Sequence, residues 1–294
     1  MSSESVVTIG LPVRHELASF RVAVRSVFAQ SYQDWRLIIV CDGSSAEVVD
    51  AAQQISDARV SVVADGESRG LSARLNEITR AATTELVARM DADDVMHSER
   101  LALQIAAFRS DPHLDLLATR AYLIDEYDEI HGTYREPPIP TGIAGYLQNG
   151  VFTHPTVMFR RTWGVAYPYN EEWLRTEDKE VWFRAAPTSK FSRLETPLLY
   201  YRVPKRLSIQ KQSRTASYDR KFHRAHARAA GASVSSRSVY LGKSLVKQGI
   251  FAAGVTVGWG PRILASKASP LSQDERRRAE RELAVVSNVG VPGW

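Results

Sequence analysis

The chain has 294 residues, of which 44% are hydrophobic and 24% are charged, and its 38 Lys and Arg against 33 Asp and Glu give a net charge of +5. This length allows one catalytic domain of about 200 residues with a smaller tail. The single cysteine, Cys41, excludes an internal disulfide and agrees with a reducing compartment.

Targeting and membrane-spanning segments are not expected. The first residues, Met1 to Ser5, are polar and lack the charged stretch and apolar core of a secretory signal. Between Lys247 and Arg262 the uncharged run has about fourteen residues, fewer than the roughly 20 that span a bilayer. We therefore expect a cytoplasmic protein that is soluble or at most peripheral at the inner face of the membrane.

The first 110 residues alternate strand and helix patterns. Continuous apolar runs predict strands at 6–11, 37–41, 60–63 and 85–90, the first of them ended by Pro12. Helices are predicted from Leu17, from a capping box of Ser44 and Glu47, and from Leu71. This alternation predicts an α/β fold with a Rossmann-like, mostly parallel sheet flanked by helices.

A cluster of carboxylates follows the fourth predicted strand. The segment Asp91, Ala92, Asp93 and Asp94 comes directly after an apolar run. Residues i and i+2 of an extended segment project to the same side, so Asp91 and Asp93 can point into one small volume. A divalent cation bridging to a phosphorylated substrate would relieve their repulsion. Short acids at such a junction also form turns and favour helix N-termini, and this alternative stays open here.

Three residues lie just past predicted strand ends. Pro12, Asp42 and Asp91 hold these positions, and parallel sheets bind ligands beyond the carboxyl ends of their strands. The sequence has no Gly-x-Gly-x-x-Gly after the first strand and no Gly-Lys-Ser or Gly-Lys-Thr of a P-loop. It therefore predicts that phosphate is bound through a metal held by acids.

The pattern changes after residue 114. Stretches rich in β-forming residues at 116–124, 151–159 and 191–203 are expected to extend the sheet and build an acceptor-side wall. Beyond about residue 206 the chain is predicted to be helical, ending in an Arg- and Glu-rich segment from Ser272. A basic stripe lies in this half: Arg202, Lys205, Arg206, Lys211, Arg214, Arg220, Lys221, Arg224 and Arg228. It is either a solvated helix face or a contact for an anionic membrane surface, nucleic acid or phosphorylated substrate.

Blocks of sequence between residues 6 and 212 carry a family resemblance. They lie at 7–13, 26–32, 37–44, 69–76, 90–94, 154–160, 176–182 and 201–208. Together they resemble the family 2 glycosyltransferases of GT-A fold. The resemblance implies a GT-A domain over 1–212, with a nucleotide-sugar half at about 1–112 and an acceptor half at about 113–212. A helical, basic C-terminal region over 213–294 would follow.

The resemblance implies roles for individual residues on the donor side. Asp42 matches the acid that contacts the uracil or thymine base of a nucleotide sugar. Asp91 and Asp93 match the two acids of the DxD motif, with Asp93 preferred as the direct ligand of Mg²⁺ or Mn²⁺. The implied donor-binding residues are Pro12, Val13, Asp42, Arg69, Asp91, Ala92 and Asp93.

On the acceptor side, Asp178 matches the catalytic base of inverting members. Without this match the preferred interpretation of Asp178 is a first-turn helix acid behind Thr176, favoured by the helix dipole. Contacts with the acceptor or the diphosphate are expected from His154, Trp173, Glu177 and Arg202. A structural hydrogen bond remains the alternative for His154, and packing remains the alternative for Trp173.

The predicted function is metal-dependent, inverting sugar transfer from a nucleotide-diphosphate sugar, UDP- or dTDP-linked, to a hydroxyl of a saccharide or lipid-linked acceptor. It belongs to surface polysaccharide or glycolipid synthesis, with no nucleic acid partner. One alternative is a nucleotide-sugar-binding protein without transfer activity. Another is a haloacid-dehalogenase-type phosphatase, whose first motif also has an apolar run before Asp-x-Asp-x-Val. That motif follows the first strand of its domain, whereas three strand-helix units precede Asp91.

Overall fold

A computed structural model describes residues 6–147, 150–204 and 207–294 of the chain. The strands are β1 Val7–Val13, β2 Trp35–Cys41, β3 Val60–Val63, β4 Leu86–Arg89, β5 Val95–Met96, β6 Leu116–Ile124, β7 Ile130–Tyr134, β8 Met158–Arg160, β9 Phe191–Arg202 and β10 Ala268–Ser269. The helices are α1 Leu17–Phe28, α2 Ala46–Gln53, α3 Leu71–Ala81, α4 Arg100–Ser110, α5 Arg161–Ala166, α6 Glu177–Ala185, α7 Ile209–His226, α8 Val234–Thr256, α9 Gly260–Ala265 and α10 Gln273–Val286. Short 3₁₀ turns occupy Ile143–Leu147 and His154–Thr156.

One sheet runs through the molecule, with the strand order β10-β7-β6-β8-β4-β1-β2-β3 and with β9 beside β6 and β5. The strands of the first half, β3, β2, β1 and β4, pair in parallel. In β2, Leu37 and Ile39 face one apolar core, and Ile38 and Val40 face the other. Each fully buried side chain of this size contributes roughly 1.5–3 kcal/mol. Burial of both faces explains why the predicted strands are continuous apolar runs.

The first strand extends further than predicted. Pro12 does not end β1 but lies inside it, opposite Val40 of β2. The pairing of β1 with β4 ends at Gly10 and Arg89, so Pro12 lies beyond the ladder on that side. Its missing N–H therefore costs no strand hydrogen bond.

The predicted capping box of Ser44 and Glu47 is wrong. Helix α2 has Ser45 at its N-cap, without a side-chain hydrogen bond there. The hydroxyl of Ser44 instead donates to the carbonyl oxygen of Val13 at 2.8 Å. This bond ties the end of β1 to the turn after β2, so the serine braces the edge where the site lies.

The second half extends the sheet mostly through antiparallel strands. β6 pairs antiparallel with β7 and β8, and β8 joins it antiparallel to β4. The stretch 151–159 was expected to be β-rich, but only its last two residues belong to a strand, β8. Pro155, which lacks a backbone N–H and fixes φ, favours the 3₁₀ turn that occupies His154–Thr156. The acceptor-side wall is thus formed partly by a turn.

The C-terminal region packs in two different ways. Helix α10 returns to the sheet, where Leu283 and Val286 share a core with Val95, and the Tyr200 hydroxyl donates to the carbonyl oxygen of Ala279. Helices α7, α8 and α9 lie further out, and the expected boundary near residue 212 falls within α7. Two expected members of the basic stripe lie outside the described residues: Lys205 and Arg206. Within the described ranges, no helix combines the length and apolar character needed to cross a bilayer.

Candidate active site

A cleft of about 460 Å³ opens beyond the carboxyl end of β4. Its walls come from β4 and the acids after it, from the segment that follows β7, from the turn at 153–155 and from the start of α6. The charged and polar lining residues include Arg89, Asp91, Arg135, Glu136, Thr153, His154, Arg175, Glu177 and Asp178. The cleft therefore brings together acids that lie in distant parts of the sequence.

The acid cluster after β4 concentrates negative charge. Carboxylate oxygens of Asp91, Asp93 and Asp94 all lie within 4.8 Å of one another. The surrounding protein and the Asp91 charge raise the pKa of Asp93 to about 6. Burial and the two neighbouring aspartates raise the pKa of Asp94 well above its usual range. Asp94 Oδ2 is buried and has no hydrogen-bond partner within residues 6–147, 150–204 and 207–294. A compact set of oxygen donors with unbalanced charge fits a hard divalent cation such as Mg²⁺ or Mn²⁺.

Arg202 fixes the shape of this cluster from behind. Its backbone N–H donates to Asp94 Oδ1 at 2.8 Å, and its Nε donates to the carbonyl oxygen of Asp93 at 2.7 Å. Its Nη2 forms an ion pair with Asp128 at 2.7 Å. These contacts occupy the guanidinium within the protein, so Arg202 positions the acid loop.

Arg89, the last residue of β4, is a cleft residue that the sequence reasoning missed. Its Nη2 contacts Asp91 Oδ1 at 2.7 Å, and its side chain is only 3% exposed. The Nε and Nη1 atoms are buried without hydrogen-bond partners among the described residues. The signal that was available is an arginine inside an otherwise apolar, buried strand, because unpaired charges are rarely placed there.

Two acids begin α6 and line the same cleft. Thr176 is the N-cap residue, and Glu177 and Asp178 occupy the first turn. The Asp178 carboxylate accepts a hydrogen bond from the backbone N–H of Lys179 at 2.7 Å. Burial raises the pKa of the Asp178 carboxyl, and burial together with Asp178 raises the pKa of Glu177 to about 7. A carboxylate with a raised pKa is a stronger base, so this wall is suited to accepting a proton.

The two predicted aromatic contacts differ in position. His154 lines the cleft, and its Nε2 makes a 2.8 Å hydrogen bond with the Tyr169 hydroxyl. Burial lowers the pKa of His154 well below its usual range, so the ring is neutral at physiological pH. Trp173 is not among the residues that line the cleft. Its ring packs against Phe222 and His226, which corresponds to the packing alternative.

Asp42 and Arg69, which were predicted to bind the nucleotide-sugar donor, lie at the same sheet edge, on the β1–β2 side. Asp42 follows β2, and its carboxylate accepts hydrogen bonds from the backbone N–H groups of Arg69 and Gly70 and from Arg74 Nε, at 2.6 to 3.1 Å. Arg69 itself is half-exposed and pairs with Glu67. Asp42 and Arg69 are therefore in direct contact, but they do not line the cleft that holds Asp178.

The Pro12–Val13 end of β1 joins this region to the acid cluster. The backbone N–H of Asp42 donates to the carbonyl oxygen of Val13 at 2.8 Å. Strand β1 lies between β2 and β4 in the sheet. The predicted donor-binding residues, including Ala92 within the acid cluster, thus occupy one continuous edge of the sheet.

Comparison with known families separates a glycosyltransferase from a phosphatase. The family model described as "Glycosyl transferase family 2" matches residues 8–169, more than half of the chain. The chain belongs to glycosyltransferase family 2. The family assignment argues against the phosphatase alternative.

Relatives of this family 2 glycosyltransferase carry related names. An uncharacterized glycosyltransferase, MJ1057 of Methanocaldococcus jannaschii, is 29% identical over 211 residues, which cover 68% of this chain and 73% of that protein. The O-antigen biosynthesis glycosyltransferase WbnJ of Escherichia coli is 27% identical over 190 residues, covering 62% of this chain and 73% of WbnJ.

Two solved structures share the fold. Mannosyltransferase PcManGT from Pyrobaculum calidifontis, in complex with GDP-Man and Mn²⁺, has a TM-score of 0.60 at 16% identity and covers 98% of this chain and 87% of that one. TarS 1–349 of S. aureus, in complex with UDP-GlcNAc, has a TM-score of 0.57 at 14% identity, with coverage of 96% and 80%. These likenesses confirm the predicted GT-A fold.

Proposed function

We propose that this glycosyltransferase transfers a sugar from a UDP- or dTDP-linked donor to an acceptor hydroxyl, with inversion at the anomeric carbon and with Mg²⁺ or Mn²⁺ as cofactor. The observation that carries the proposal is the shared cleft. Asp91 and Asp178 come from distant motifs and line the same 460 Å³ space. One wall is suited to a cation and a diphosphate, and the other is suited to a base.

The donor would bind along the sheet edge. Its base and ribose would lie near Asp42 and Arg69, and its diphosphate near the acid cluster. Asp93 and Asp91 would hold the metal ion, and Asp94 is close enough to complete the set. When bound, the cation opposes the negative charge that grows on the departing diphosphate. The complexes of PcManGT with GDP-Man and Mn²⁺ and of TarS with UDP-GlcNAc support a nucleotide-sugar donor.

Asp178 would act as the catalytic base. Its carboxylate takes the proton of the acceptor hydroxyl while the acceptor oxygen bonds to the anomeric carbon. The bond from that carbon to the diphosphate oxygen breaks on the opposite side, and its electron pair leaves with the nucleoside diphosphate. Attack opposite to the leaving group inverts the centre. A positioned base of this kind contributes roughly 10² to 10⁴ in rate.

The acceptor is proposed to be a saccharide or lipid-linked saccharide of surface polysaccharide or glycolipid synthesis. The name of WbnJ, an O-antigen biosynthesis enzyme, supports this class. His154 and Glu177 line the cleft beside Asp178 and are placed to contact the acceptor. A lipid-linked acceptor would bring the enzyme to the cytoplasmic face of a membrane as a peripheral protein.

The test combines donor binding with transfer. A panel of UDP-, dTDP- and GDP-sugars is screened for thermal stabilisation with Mn²⁺ and with EDTA, because a ligand of the native state raises its apparent stability. Asp178→Asn should keep the donor-dependent stabilisation and lose transfer by about 10³-fold. Glu172→Gln, an exposed acid of the same segment, is the control and should keep both. Unchanged turnover in Asp178→Asn would exclude Asp178 as the base, and donor binding without transfer in the parent chain would favour the non-catalytic alternative.

A further inference from the structure

A second concave surface adjoins the cleft. This surface, called here the apolar groove, has a volume of about 530 Å³ and lies among α7, α8 and α9. It shares Tyr134, Gly150 and Thr215 with the walls of the cleft. Its volume is typical of small-molecule sites, which run from about 300 to 1,000 Å³. The groove and the cleft therefore adjoin each other.

The walls of the apolar groove suit a hydrocarbon. Its large apolar wall residues are Ile250, Phe251, Trp259 and Ile263. Two of them remain open to solvent, Ile250 at 66% and Trp259 at 52% exposure. The acid that lines the groove, Asp219, is balanced by an ion pair with Lys179 and by a hydrogen bond from the Tyr240 hydroxyl. Exposed apolar surface of this kind, rimmed by polar residues, marks an interaction site.

Arginines lie where the groove meets the cleft. Arg135 directly follows Tyr134, and Arg175 donates from Nη1 to Thr215 Oγ1 at 3.4 Å, so each adjoins a shared wall residue. Neither guanidinium has a carboxylate partner in the described part of the chain. Arginine is well suited to phosphate because its planar N–H groups match phosphate oxygens. The junction therefore has the chemistry of a phosphate site.

The surrounding charge favours an anionic ligand. The sequence over residues 220–273 contains no Asp or Glu. It contains these cations: Arg220, Lys221, Arg224, Arg228, Arg237, Lys243, Lys247, Arg262 and Lys267. A surface with one sign of charge attracts ligands of the opposite sign and raises their local concentration.

We propose that the apolar groove binds the isoprenoid chain of a polyprenyl diphosphate-linked saccharide acceptor, with the diphosphate at Arg135 and Arg175. Apolar groove, arginine pair and acid-lined cleft follow one another in the same order as hydrocarbon chain, diphosphate and sugar in such a molecule. The sugar hydroxyl would then lie on the Asp178 side of the cleft. The inference rests on the proposed function, because it names the acceptor class of the same site.

Binding of small probes tests the inference without any sugar transfer. Farnesyl diphosphate, farnesol and inorganic pyrophosphate are titrated into the full chain in EDTA, which removes divalent ions from the acid cluster. Affinity is measured by calorimetry, and tryptophan emission reports entry of the chain beside Trp259. Farnesyl diphosphate should bind at least about tenfold more tightly than either fragment, because it buries apolar surface and pairs its charge at once. Equal affinity for farnesyl diphosphate and pyrophosphate would overturn the proposal.

Matched variants locate the probe. Arg175→Gln should weaken farnesyl diphosphate binding about tenfold, whereas Arg109→Gln, an exposed arginine of α4 outside the groove and outside the basic stretch, should not. Ile250→Ser should weaken it several-fold, on the order of fivefold. Leu245→Ser, at 57% exposure on the same helix but outside the groove, should leave it unchanged. Equal losses in both α8 variants would indicate unspecific adsorption and would refute the assignment.

Two further measurements distinguish a second copy of the chain in the groove, and failure of the proposed function, from failure of this inference alone. Sedimentation without ligand detects a second copy of the chain as the occupant. A dimer that Ile250→Ser dissociates, with unchanged farnesyl diphosphate affinity, would replace the proposal. Stabilisation of the parent chain by a nucleotide sugar with Mn²⁺ is measured in parallel. Donor binding without farnesyl diphosphate binding contradicts this inference alone, whereas absence of donor binding contradicts the proposed function.

Discussion

Two acidic sites at the same edge of the sheet differ in how their charge is balanced. Asp42, after β2, is 6% exposed, and its carboxylate accepts hydrogen bonds from two backbone N–H groups and from Arg74. The cluster after β4 brings carboxylate oxygens of Asp91, Asp93 and Asp94 within 4.8 Å of one another, and Asp94 Oδ2 is buried with no hydrogen-bond partner in the described part of the chain. The first site is satisfied by the chain itself, whereas the acids of the second repel one another.

The contrast teaches where stability and function are located. Arg74 is fully buried and pairs with Asp42, Asp65 and Glu77, so the Asp42 site is a closed network that fixes the loop before α3. Breaking such a network leaves an uncompensated buried charge. The β4 cluster instead carries repulsion in the free protein, which a bound metal ion would relieve. We expect substitutions at the two sites to have opposite signatures.

The largest expected effect is at the acid cluster after β4. Asp93→Asn removes a proposed metal ligand, so sugar transfer should fall by about 10³-fold. The stabilisation by Mn²⁺ plus nucleotide sugar should disappear, and the free energy of unfolding of the free protein should not fall, because repulsion with Asp91 is removed. Calorimetric titration measures the Mn²⁺ affinity, and urea unfolding measures the free energy of unfolding. Asp50→Asn, at an exposed position of α2, is the control. If Asp93→Asn bound Mn²⁺ as tightly as the parent, Asp93 would not be a metal ligand, and the proposed difference between the two acid sites would be wrong.

The satisfied site should respond in the opposite sense. Asp42→Asn replaces an acceptor oxygen by a donor that faces backbone N–H groups and removes a charge paired with Arg74, so the free energy of unfolding should fall by about 2 to 3 kcal/mol. Mn²⁺ affinity should stay within about twofold of the parent, since the acid cluster is intact. Asp111→Asn, which breaks a more exposed pair with Lys190, should cost less than about 1 kcal/mol. Equal stability losses in the two variants would show that the Asp42 network is no stronger than a surface pair.

Local sequence patterns predicted the fold well in the strands whose buried apolar side chains stabilise it. The apolar runs of β1 to β4 are buried on both faces of a parallel sheet, and such runs leave few alternatives. The errors lie between the main strands and helices: Ser44 braces Val13 instead of capping α2, and a 3₁₀ turn at His154–Thr156 interrupts the β-rich stretch expected at 151–159. The position of the Ser44 hydroxyl depends on a partner far away in the sequence, which a local pattern does not contain. Pro155, in contrast, is a local signal for the turn.

The candidate site was predicted in the same unequal way. The spacing of acids after a predicted strand pointed to Asp91, and the family resemblance alone pointed to Asp178; the fold brings both to one cleft. The arginines of the cleft carry no such spacing signal. Arg175 reaches the junction with the apolar groove through a left-handed backbone conformation, φ 67°, which is uncommon outside glycine. Packing of the outer helices places that groove, and no motif encodes it.

Glu177 tests, with a smaller effect, whether an unsatisfied acid is recognisable by its pH dependence. Its pKa is raised to about 7 by burial and by Asp178, whereas an unfolded glutamate has a pKa of about 4.3. The folded state therefore holds the Glu177 proton more tightly than the unfolded state does. The contribution of this proton to the free energy of unfolding is fully present below about pH 4 and is lost as pH rises to about 7. Glu177→Gln does not titrate, so its advantage in stability over the parent should be about 2 kcal/mol larger at pH 8 than at pH 5. Urea unfolding at both pH values measures this, with the exposed Glu172→Gln as control. A gain that is equal at the two pH values would mean that Glu177 is already balanced in the free protein, as Asp42 is.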